Sequence, residues 1–438
     1  MALSARASEL AKPDPRYFFW QVLQNIWHPE ANPDGYVSLG VAENVLMHHA
    51  LSERIHRAIS LGSDDLTYGD GKKRLRAALA RFLTRHLHPA VAVQPSHLTV
   101  SNGCSSALEH MAWALGDPGD VFLLGKPYYG TFVPDLTLRM GTQLAMVDFG
   151  GVDPLSLDGV RRYDLAVRSA HAQGKRVAGL ILAHPHNPLG RCYPRPVLLA
   201  LMALCARYRI NLVSDEIYAL STFANTVDRG ADVADSTAPF ESVLSLPTDG
   251  VIDPALVHVI WGISKDFGAN GLRLGAIVSQ RNPALHQALV PPSLYSSSSS
   301  ITDQVMTAIF HDDAWVDGYL EKNRQRLAES HAHVVRWARA HGIEYLPGVN
   351  AAFFLWVNLG AAYGGGAGAA DVEDVDQVVT DALLAQKVFL ASGLHFGSEQ
   401  AGWFRIVFTH ARDHLDEGLR RIVAALNLTS ERGVQGRR

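Results

Sequence analysis

One lysine of this sequence is placed for covalent chemistry. Residues 257–275 read VHVIWGISKDFGANGLRLG, an apolar run followed by Ser264 and Lys265. A lysine at the end of a buried strand is poorly solvated, so its pKa falls and its amine becomes nucleophilic, as a Schiff base requires. Arg273, eight residues later, suits a phosphate held near the aldehyde. Pyridoxal phosphate carries both groups, although most lysines are ordinary solvated surface residues.

A second candidate for phosphate binding is the turn formed by Gly103, Cys104 and Ser105. The sequence SNGCSSALEHMAWAL follows a short strand predicted at 98–100 and continues as a helix. The first turn of a helix has free backbone amides and the positive end of the helix dipole, and both favour an anion. Ser105 is equally explained as an ordinary helix cap.

Polar residues also follow two predicted neighbouring strands. VAGLILAHP leads to Asn187, and INLVSDEIY contains Asp215 and Tyr218, with a helix predicted at 196–208 between them. Both strands are nearly continuous apolar runs, as expected in a parallel sheet covered by helices on both faces. Ligands bind outside the carboxyl ends of such strands, where Lys265 also emerges. A buried carboxylate needs a partner, and a protonated pyridine nitrogen or an arginine would serve Asp215 equally well.

Four further residues have both a structural and a functional interpretation. Tyr129, in the pair YY, could stack on an aromatic ring or pack in the core. Tyr68 lies in a glycine turn before a helix, where it could contact a phosphate or substrate or simply pack. Glu43 precedes a helix predicted to begin near Asn44, and a carboxylate facing the helix dipole is the preferred interpretation. Arg405, inside an apolar strand, could form a structural ion pair or clamp a substrate carboxylate.

Composition bounds the class of protein. With 438 residues, 47% hydrophobic and 19% charged, the chain is predicted to be a globular enzyme of two domains, or of one large domain with a smaller appendage. A net charge of -4 provides no basic field for nucleic acid. Three cysteines without metal-ligand spacing favour a reducing compartment over a disulfide framework. No apolar run is long enough for a membrane span, and the histidines form no metal site, so we expect a cytoplasmic protein without membrane partners.

Several segments outside these motifs also carry predictions. The serine run at 296–300 is expected to be a mobile loop near the cleft or a surface linker. A long helix is predicted around 320–334, AAFFLWVNL as an alternating strand, and the glycine-rich stretch 361–370 as a disordered insertion. We assign 1–61 and 331–438 to a small domain and 62–330 to a large cofactor-binding domain.

The order of the motifs resembles that of a known enzyme family. The chain contains GVAENVL, LTYGDG, SNGCSSAL, KPYYGTF, HNPLG, SDEIY, SKDFGANGLRLG and SEQAGWFR, from about residue 36 to about residue 425. This order resembles fold-type I pyridoxal-phosphate enzymes of the class I/II aminotransferase family. Within the family, GVAENVL and SEQAGWFR are most similar to 1-aminocyclopropane-1-carboxylate synthases and their homologues. The resemblance implies an α/β fold, with a mostly parallel seven-stranded sheet, helices on both faces and a smaller α/β domain.

The resemblance also implies a role for each residue at the cofactor. Lys265 would bind pyridoxal 5'-phosphate covalently and remove the substrate α-proton, while Asp215 would pair with the pyridinium nitrogen. The remaining cofactor contacts would be Tyr218 and Asn187 at the phenolate oxygen, Tyr129 stacked on the ring, and Gly103, Cys104, Ser105, Ser264 and Arg273 at the phosphate.

Three residues would act on the substrate or join two subunits. Arg405 would bind the α-carboxylate, and Glu43 matches a glutamate that lies near the sulfonium of S-adenosylmethionine in the synthases. Tyr68 would reach the active site of the neighbouring subunit, which implies a homodimer. The expected reaction is elimination, cyclisation or γ-replacement on S-adenosylmethionine or a similar amino acid, with transamination and a non-catalytic binding protein as alternatives. Gly262 departs from the family, because many relatives have a phosphate-contacting serine there.

Overall fold

The computed structural model describes residues 3–12, 18–67, 74–228, 237–363 and 374–426. Within these residues the helices are α1 Ala5–Leu10, α2 Phe19–Leu23, α3 His48–Ala58, α4 Leu75–Leu87, α5 Cys104–Leu115, α6 Phe132–Thr137, α7 Leu157–Ala172, α8 Arg195–Tyr208, α9 Ile263–Asp266, α10 Pro283–Ala288, α11 Val290–Ser296, α12 Ser300–Phe310, α13 Asp313–Ala340, α14 Leu359–Ala362, α15 Val375–Ala385 and α16 Arg412–Ala425.

The strands form three sheets within the described residues. They are β1 Val37–Ser38, β2 Leu98–Ser101, β3 Val121–Gly125, β4 Gln143–Val147, β5 Val177–Ala183, β6 Asn211–Asp215, β7 Val257–Gly262, β8 Gly275–Val278, β9 Glu344–Tyr345, β10 Phe354–Asn358, β11 Val388–Phe389, β12 Ala391–Ser392 and β13 Trp403–Val407. The large sheet has the order β2-β8-β7-β6-β5-β3-β4, the small sheet the order β12-β13-β10-β9, and β1 pairs with β11.

The large sheet confirms the predicted mostly parallel seven-stranded architecture. Its strands are parallel except β8, which runs antiparallel to both β2 and β7. The register aligns the carboxyl ends, because Ala183 of β5 lies opposite Asp215 of β6, and Asp215 lies opposite Ile260 of β7. Ser101, at the end of β2, and Gly262, at the end of β7, both lie opposite Gly275. The loops after β2, β5, β6 and β7 therefore open at one edge of the sheet, where ligands bind in such folds.

The large sheet packs in a large hydrophobic cluster, and a second, smaller cluster is formed mainly by residues near the two ends of the chain. It joins Val37 and Leu39 to buried residues of β10, β13 and α16. The long helix α13 spans both regions, since Leu320 packs in the large cluster and Leu327 in the small one. The change from one cluster to the other lies between Leu320 and Leu327, and the division at residues 61/62 and 330/331 stays a prediction. Met47, inside the first 61 residues, nevertheless packs in the large cluster, so the amino-terminal segment contacts both domains.

The serine run differs in part from the prediction, because only residues 297–299 lie outside helices. The serines end α11 and cap α12, with the Ser299 hydroxyl accepting the Thr302 amide. Ser296 and Ser298 are buried, and the Ser296 carbonyl accepts the Asn102 amide beside the phosphate turn. Serine is a strong helix-capping residue, so a run of serines can join two helices as well as form a loop.

Two other expectations have different outcomes. β10 is buried at four successive residues, Phe354 to Val357, and does not alternate, because helices and large-domain residues cover both of its faces. The expected disordered insertion falls largely on 364–373, which lies outside the described residues.

Candidate active site

The amine of Lys265 lies in the cleft at the carboxyl edge of the large sheet. The chain turns from β7 directly into the short helix α9, which carries this lysine. Its Nζ donates a hydrogen bond to the Ala42 carbonyl at 2.6 Å. Burial, and to a smaller extent the positive charge of Arg405, lower the pKa of Lys265 to about 8, although the charge of Glu43 opposes the shift. A lysine near this pKa has a substantial neutral fraction at neutral to mildly basic pH, as a nucleophile or base needs.

Asp215 is a buried carboxylate without a cationic partner in the described part of the chain. It is 5% exposed, and its carboxylate accepts the Ile217 amide at 3.2 Å. Burial raises the pKa of Asp215 to about 7. The arginine salt bridge that was an equal alternative is not found among the described residues. A cation entering the cleft, such as a protonated pyridine, would hold this group ionised.

Arg405 lies in β13, opposite Trp356 of β10, and is 3% exposed. Its guanidinium donates to the Asn187 Oδ1 at 2.8 Å and to the Gly40 carbonyl at 2.7 Å. It is 4.7 Å from the ring centroids of both Phe354 and Phe396. Its Nε is buried without a hydrogen-bond partner, and no carboxylate within the described ranges forms the ion pair considered above. A positioned, buried guanidinium of this kind suits an incoming carboxylate.

Replacing Arg405 by lysine is expected to raise KM for the amino-acid substrate about tenfold to a hundredfold, with a smaller change in kcat. Lysine keeps the charge but loses the planar fork, and a hydrogen bond to a charged group contributes about 1.5–3 kcal/mol. Steady-state kinetics on the best substrate measures this. Arg421→Lys is the matched control, because Arg421 is also buried but binds Glu417 and backbone carbonyls away from the cleft. Equal effects of the two substitutions would contradict a substrate role for Arg405.

Three residues surround the space between Lys265, Asp215 and Arg405. Tyr218 is buried, with its ring edge-on to two phenylalanines of the small domain. Burial raises the pKa of Tyr129, and the charges of Arg405 and Asp215 also act on it. Its hydroxyl therefore lies near both residues, in the same cleft. Asn187 is held through its bond to Arg405. The structure thus brings together the residues that the sequence predicts around a planar cofactor.

The phosphate turn has the shape of an anion cradle. Gly103 has φ +83°, which favours glycine, and a Cβ there would lie 2.2 Å from the Arg273 Nη2, so any other residue would displace the guanidinium from the turn. Arg273 donates to the carbonyls of Asn270 and Asn102 and forms no salt bridge among the described residues. Ser105 is exposed in the first turn of α5. Free amides, a guanidinium and a hydroxyl therefore converge here.

The glycine at position 262 has a structural reason. A Cβ at Gly262 would lie 2.7 Å from the Cys104 Sγ and 2.7 Å from the Leu274 carbonyl. The thiol of Cys104, which is buried, thus occupies space that a serine at 262 would need. Ser264, also in this turn, is 5% exposed. The Cys104 thiol and the Leu274 carbonyl therefore leave no room here for the serine that the resemblance leads one to expect at 262.

The interpretation of Glu43 as a helix-start carboxylate was wrong. α3 begins at His48, with no acidic residue in its first turn, because residues 43–47 instead connect to the small domain. The Glu43 carbonyl accepts the Thr409 hydroxyl at 2.5 Å. Glu43 is half-buried, and its charge raises the pKa of Lys265, so its carboxylate lies near that amine.

Some predicted and unpredicted features complete the site. Tyr68 lies outside the described residues. Sequence reasoning missed the carbonyls of Gly40 and Ala42, which accept from Arg405 and Lys265, because backbone acceptors carry no residue signature. It also missed Asp135, whose carboxyl lies beside Ser105. The sequence signal that could have pointed to Asp135 was an acidic residue shortly after the YY pair.

The arrangement fits pyridoxal phosphate. A buried carboxylate without a cationic partner among the described residues lies at one side of the cleft, an amine of lowered pKa at another, and an anion cradle at the amino-terminal end of α5. Each group matches one part of that cofactor: the ring nitrogen, the aldehyde and the phosphate.

Among the described residues, no group of histidine, cysteine, aspartate or glutamate side chains could hold a metal ion. No helix in the described ranges is long and apolar enough to cross a membrane.

Known proteins resemble this chain over nearly its whole length. A 1-aminocyclopropane-1-carboxylate synthase-like protein 1 of Homo sapiens is 32% identical over 408 residues, covering 91% of this chain and 77% of that protein. A probable aminotransferase, gliI, of Aspergillus fumigatus is 31% identical, covering 90% of each chain. A double mutant of Thermus thermophilus aspartate aminotransferase superposes with a TM-score of 0.72 at 21% identity, covering 97% of this chain and 100% of that chain.

Residues 35–422 match the family described as aminotransferase class I and II. The large sheet, the small domain and the solved neighbours agree on fold type I. With the resemblance extending across both domains and the cleft between them, the chain belongs to the class I and II aminotransferase family of pyridoxal-phosphate-dependent enzymes.

Proposed function

We propose that this protein is a pyridoxal-phosphate-dependent enzyme acting at the α- and γ-carbons of S-adenosylmethionine or a similar γ-substituted amino acid. The observation that carries the proposal is the half-buried Glu43 carboxylate, which lies near enough to Lys265 for its charge to raise the pKa of that amine. A carboxylate there stabilises a cationic substrate side chain. The similarity to 1-aminocyclopropane-1-carboxylate synthase-like proteins supports the same reaction class.

The cofactor would be held by the residues that converge in the cleft. When bound, it supplies an electron sink for negative charge at the substrate α-carbon. Asp215 would hold the ring nitrogen protonated, and Lys265 would bind the aldehyde. The remaining contacts would be Tyr129 on the ring face, Tyr218 and Asn187 at the phenolate oxygen, and Gly103, Cys104, Ser105, Ser264 and Arg273 at the phosphate.

The substrate would be oriented by charge at its two ends. Arg405, lacking a carboxylate of its own in the described chain, binds the α-carboxylate, and Glu43 faces the γ-substituent. The Lys265 amine, with its pKa near 8, would take the α-proton of the substrate. Loss of the γ-leaving group then yields a cyclic, unsaturated or γ-substituted product.

Glu43→Gln is expected to weaken binding of S-adenosylmethionine about tenfold and to leave binding of S-adenosylhomocysteine unchanged. The first ligand carries a sulfonium and the second a neutral thioether, so the difference isolates charge; a partly buried pair contributes about 1–2 kcal/mol. Calorimetric titration of the holoenzyme with both ligands measures it. Asp413→Asn, at an exposed carboxylate on α16, is the matched control.

Product analysis tests the reaction itself. Holoenzyme mixed with S-adenosylmethionine should release methylthioadenosine. No release, together with equal loss of affinity for both ligands in Glu43→Gln, would count against the proposed substrate class.

Transamination of an L-amino acid is the second candidate. Its support is the similarity to a fungal protein named as a probable aminotransferase over 90% of both chains. A panel of common L-amino acids that converts the bound cofactor to its pyridoxamine form, with a keto acid restoring the aldehyde form, would favour it. A non-catalytic protein is the least supported function, because Lys265, Asp215 and Arg405 are all present and converge.

We also propose a homodimer in which Tyr68 reaches the neighbouring active site. Exposed apolar side chains support it: Leu66, Leu294 and Tyr295 are 80%, 80% and 73% exposed. Exposed apolar surface of this kind is typical of interfaces. Three free cysteines support our proposal of a reducing, cytoplasmic location.

A further inference from the structure

Asp135 lies beside the phosphate cradle and has no place in the proposed reaction. It belongs to the first turn of α6, which packs against α5. The Ser105 side chain of α5 lies within hydrogen-bonding reach of its carboxyl group. Its second oxygen, Oδ2, is buried and has no hydrogen-bond partner in the described structure. A buried carboxyl oxygen left without a partner is costly and calls for an explanation.

Several charged and titratable groups face this carboxyl. Burial raises the pKa of Asp135 to about 7; the Ser105 hydroxyl and Arg273 lower it, and Glu109 of α5 raises it. The Asp135 charge in turn raises the pKa values of Cys104 on α5, of Tyr129 in the preceding loop and of Asp215 on β6. The carboxyl therefore changes protonation state near neutrality, inside the site.

The protonation state decides the direction of the hydrogen bond to Ser105. A serine hydroxyl has one proton to donate, and an ionised carboxylate can only accept. When Asp135 is ionised, it takes the Ser105 proton and leaves oxygen lone pairs facing the cradle. When Asp135 is protonated, it donates to the Ser105 oxygen, and the Ser105 proton is free for an anion.

We propose that Asp135 is a positioning residue of the phosphate cradle: protonated, it directs the Ser105 hydroxyl toward the phosphate of the cofactor, and ionised, it withdraws that donor. The proposal rests on the assignment of Ser105 to the phosphate made above, and it is independent of the amino-acid substrate. Ser105 contacts the phosphate directly, while Asp135 acts through Ser105.

The test measures the dissociation constant of pyridoxal phosphate from the cofactor-free protein at pH values below and above neutrality, followed by absorbance and fluorescence. As pH rises across this range, the affinity of wild type should fall about tenfold more than that of Asp135→Asn. A tenfold difference is about the size of one hydrogen bond to a charged group. The asparagine amide donates to Ser105 at every pH, so Asp135→Asn should keep the tight binding that wild type shows in acid. In a Ser105→Ala background, Asp135→Asn should make no difference.

Pyridoxal, which lacks the phosphate, is the matched control ligand. It reports the titration of Lys265, which all the variants share, and its pH dependence should not respond to Asp135→Asn. Thermal melting of each cofactor-free variant checks folding. An unchanged pH dependence for pyridoxal phosphate in Asp135→Asn would overturn the proposal, as would an effect of that variant that persists without Ser105. Neither result depends on turnover of S-adenosylmethionine, so this proposal and the proposed function can fail separately.

Discussion

Replacing Lys265 by alanine is expected to lower turnover by at least about 10⁴-fold and to remove the visible absorbance of the bound cofactor. The substitution deletes the amine that holds the aldehyde and the base that takes the α-proton, and a general base alone contributes about 10²–10⁴-fold. Cofactor should still bind, because the phosphate cradle and Asp215 remain, but its affinity should be lower. Rapid-mixing kinetics and absorbance spectra of purified protein with added cofactor measure both effects.

A small added amine, such as methylamine, should restore part of the activity of Lys265→Ala, because the defect is a missing base. Lys126→Ala is the control: Lys126 also follows a strand of the large sheet, but its ammonium is held by Asp148 at 2.7 Å. Turnover and spectrum of Lys126→Ala should match those of wild type. Retention of either property in Lys265→Ala would contradict our assignment.

Asp215→Asn should have opposite effects on the holoenzyme and on the cofactor-free protein. In the holoenzyme, activity should fall about 10²- to 10³-fold, since removing one partner of a buried charge pair costs about 3–5 kcal/mol. In the cofactor-free wild-type protein, folding raises the pKa of Asp215 from 3.8 to about 7. The folded state therefore holds a proton that the unfolded state releases, and stability falls as pH rises through this window. Above it, the cofactor-free variant should melt at a higher temperature than wild type.

Thermal melts at acidic and basic pH, with and without cofactor, separate the two effects. The stability gain of Asp215→Asn should shrink as pH falls toward the ordinary aspartate range. Asp376→Asn is the control, because Asp376 is buried with a raised pKa in the small domain but lies outside the cleft. Its holoenzyme activity should stay unchanged. A cofactor-free Asp215→Asn that is less stable than wild type at basic pH would argue that Asp215 has a structural partner.

The sequence predicted the residues that follow strands of the large sheet. Lys265, Asp215 and Asn187 were placed correctly because parallel strands with aligned register bring their carboxyl ends to one edge. A run of apolar residues fixes such a strand locally, so the polar residue after it can be located without knowing the fold.

Contacts between distant segments could not be predicted in the same way. The Ala42 carbonyl meets Lys265 from 223 residues away, and nothing in the amino-terminal sequence indicates this. The pairing of Asp135 with Ser105 likewise depends on how α6 packs on α5. Glu43 was assigned to a helix start because helix boundaries are poorly fixed by sequence, and the connection of its segment to the small domain places it at the cleft.

Borohydride reduction of the holoenzyme followed by peptide mass spectrometry tests the central claim most directly. Reduction fixes pyridoxal phosphate to whichever amine carries it. Our account predicts one phosphopyridoxyl group per chain, on the peptide that contains Lys265. A label on another lysine, or a protein that binds the cofactor without any reducible bond, would contradict it.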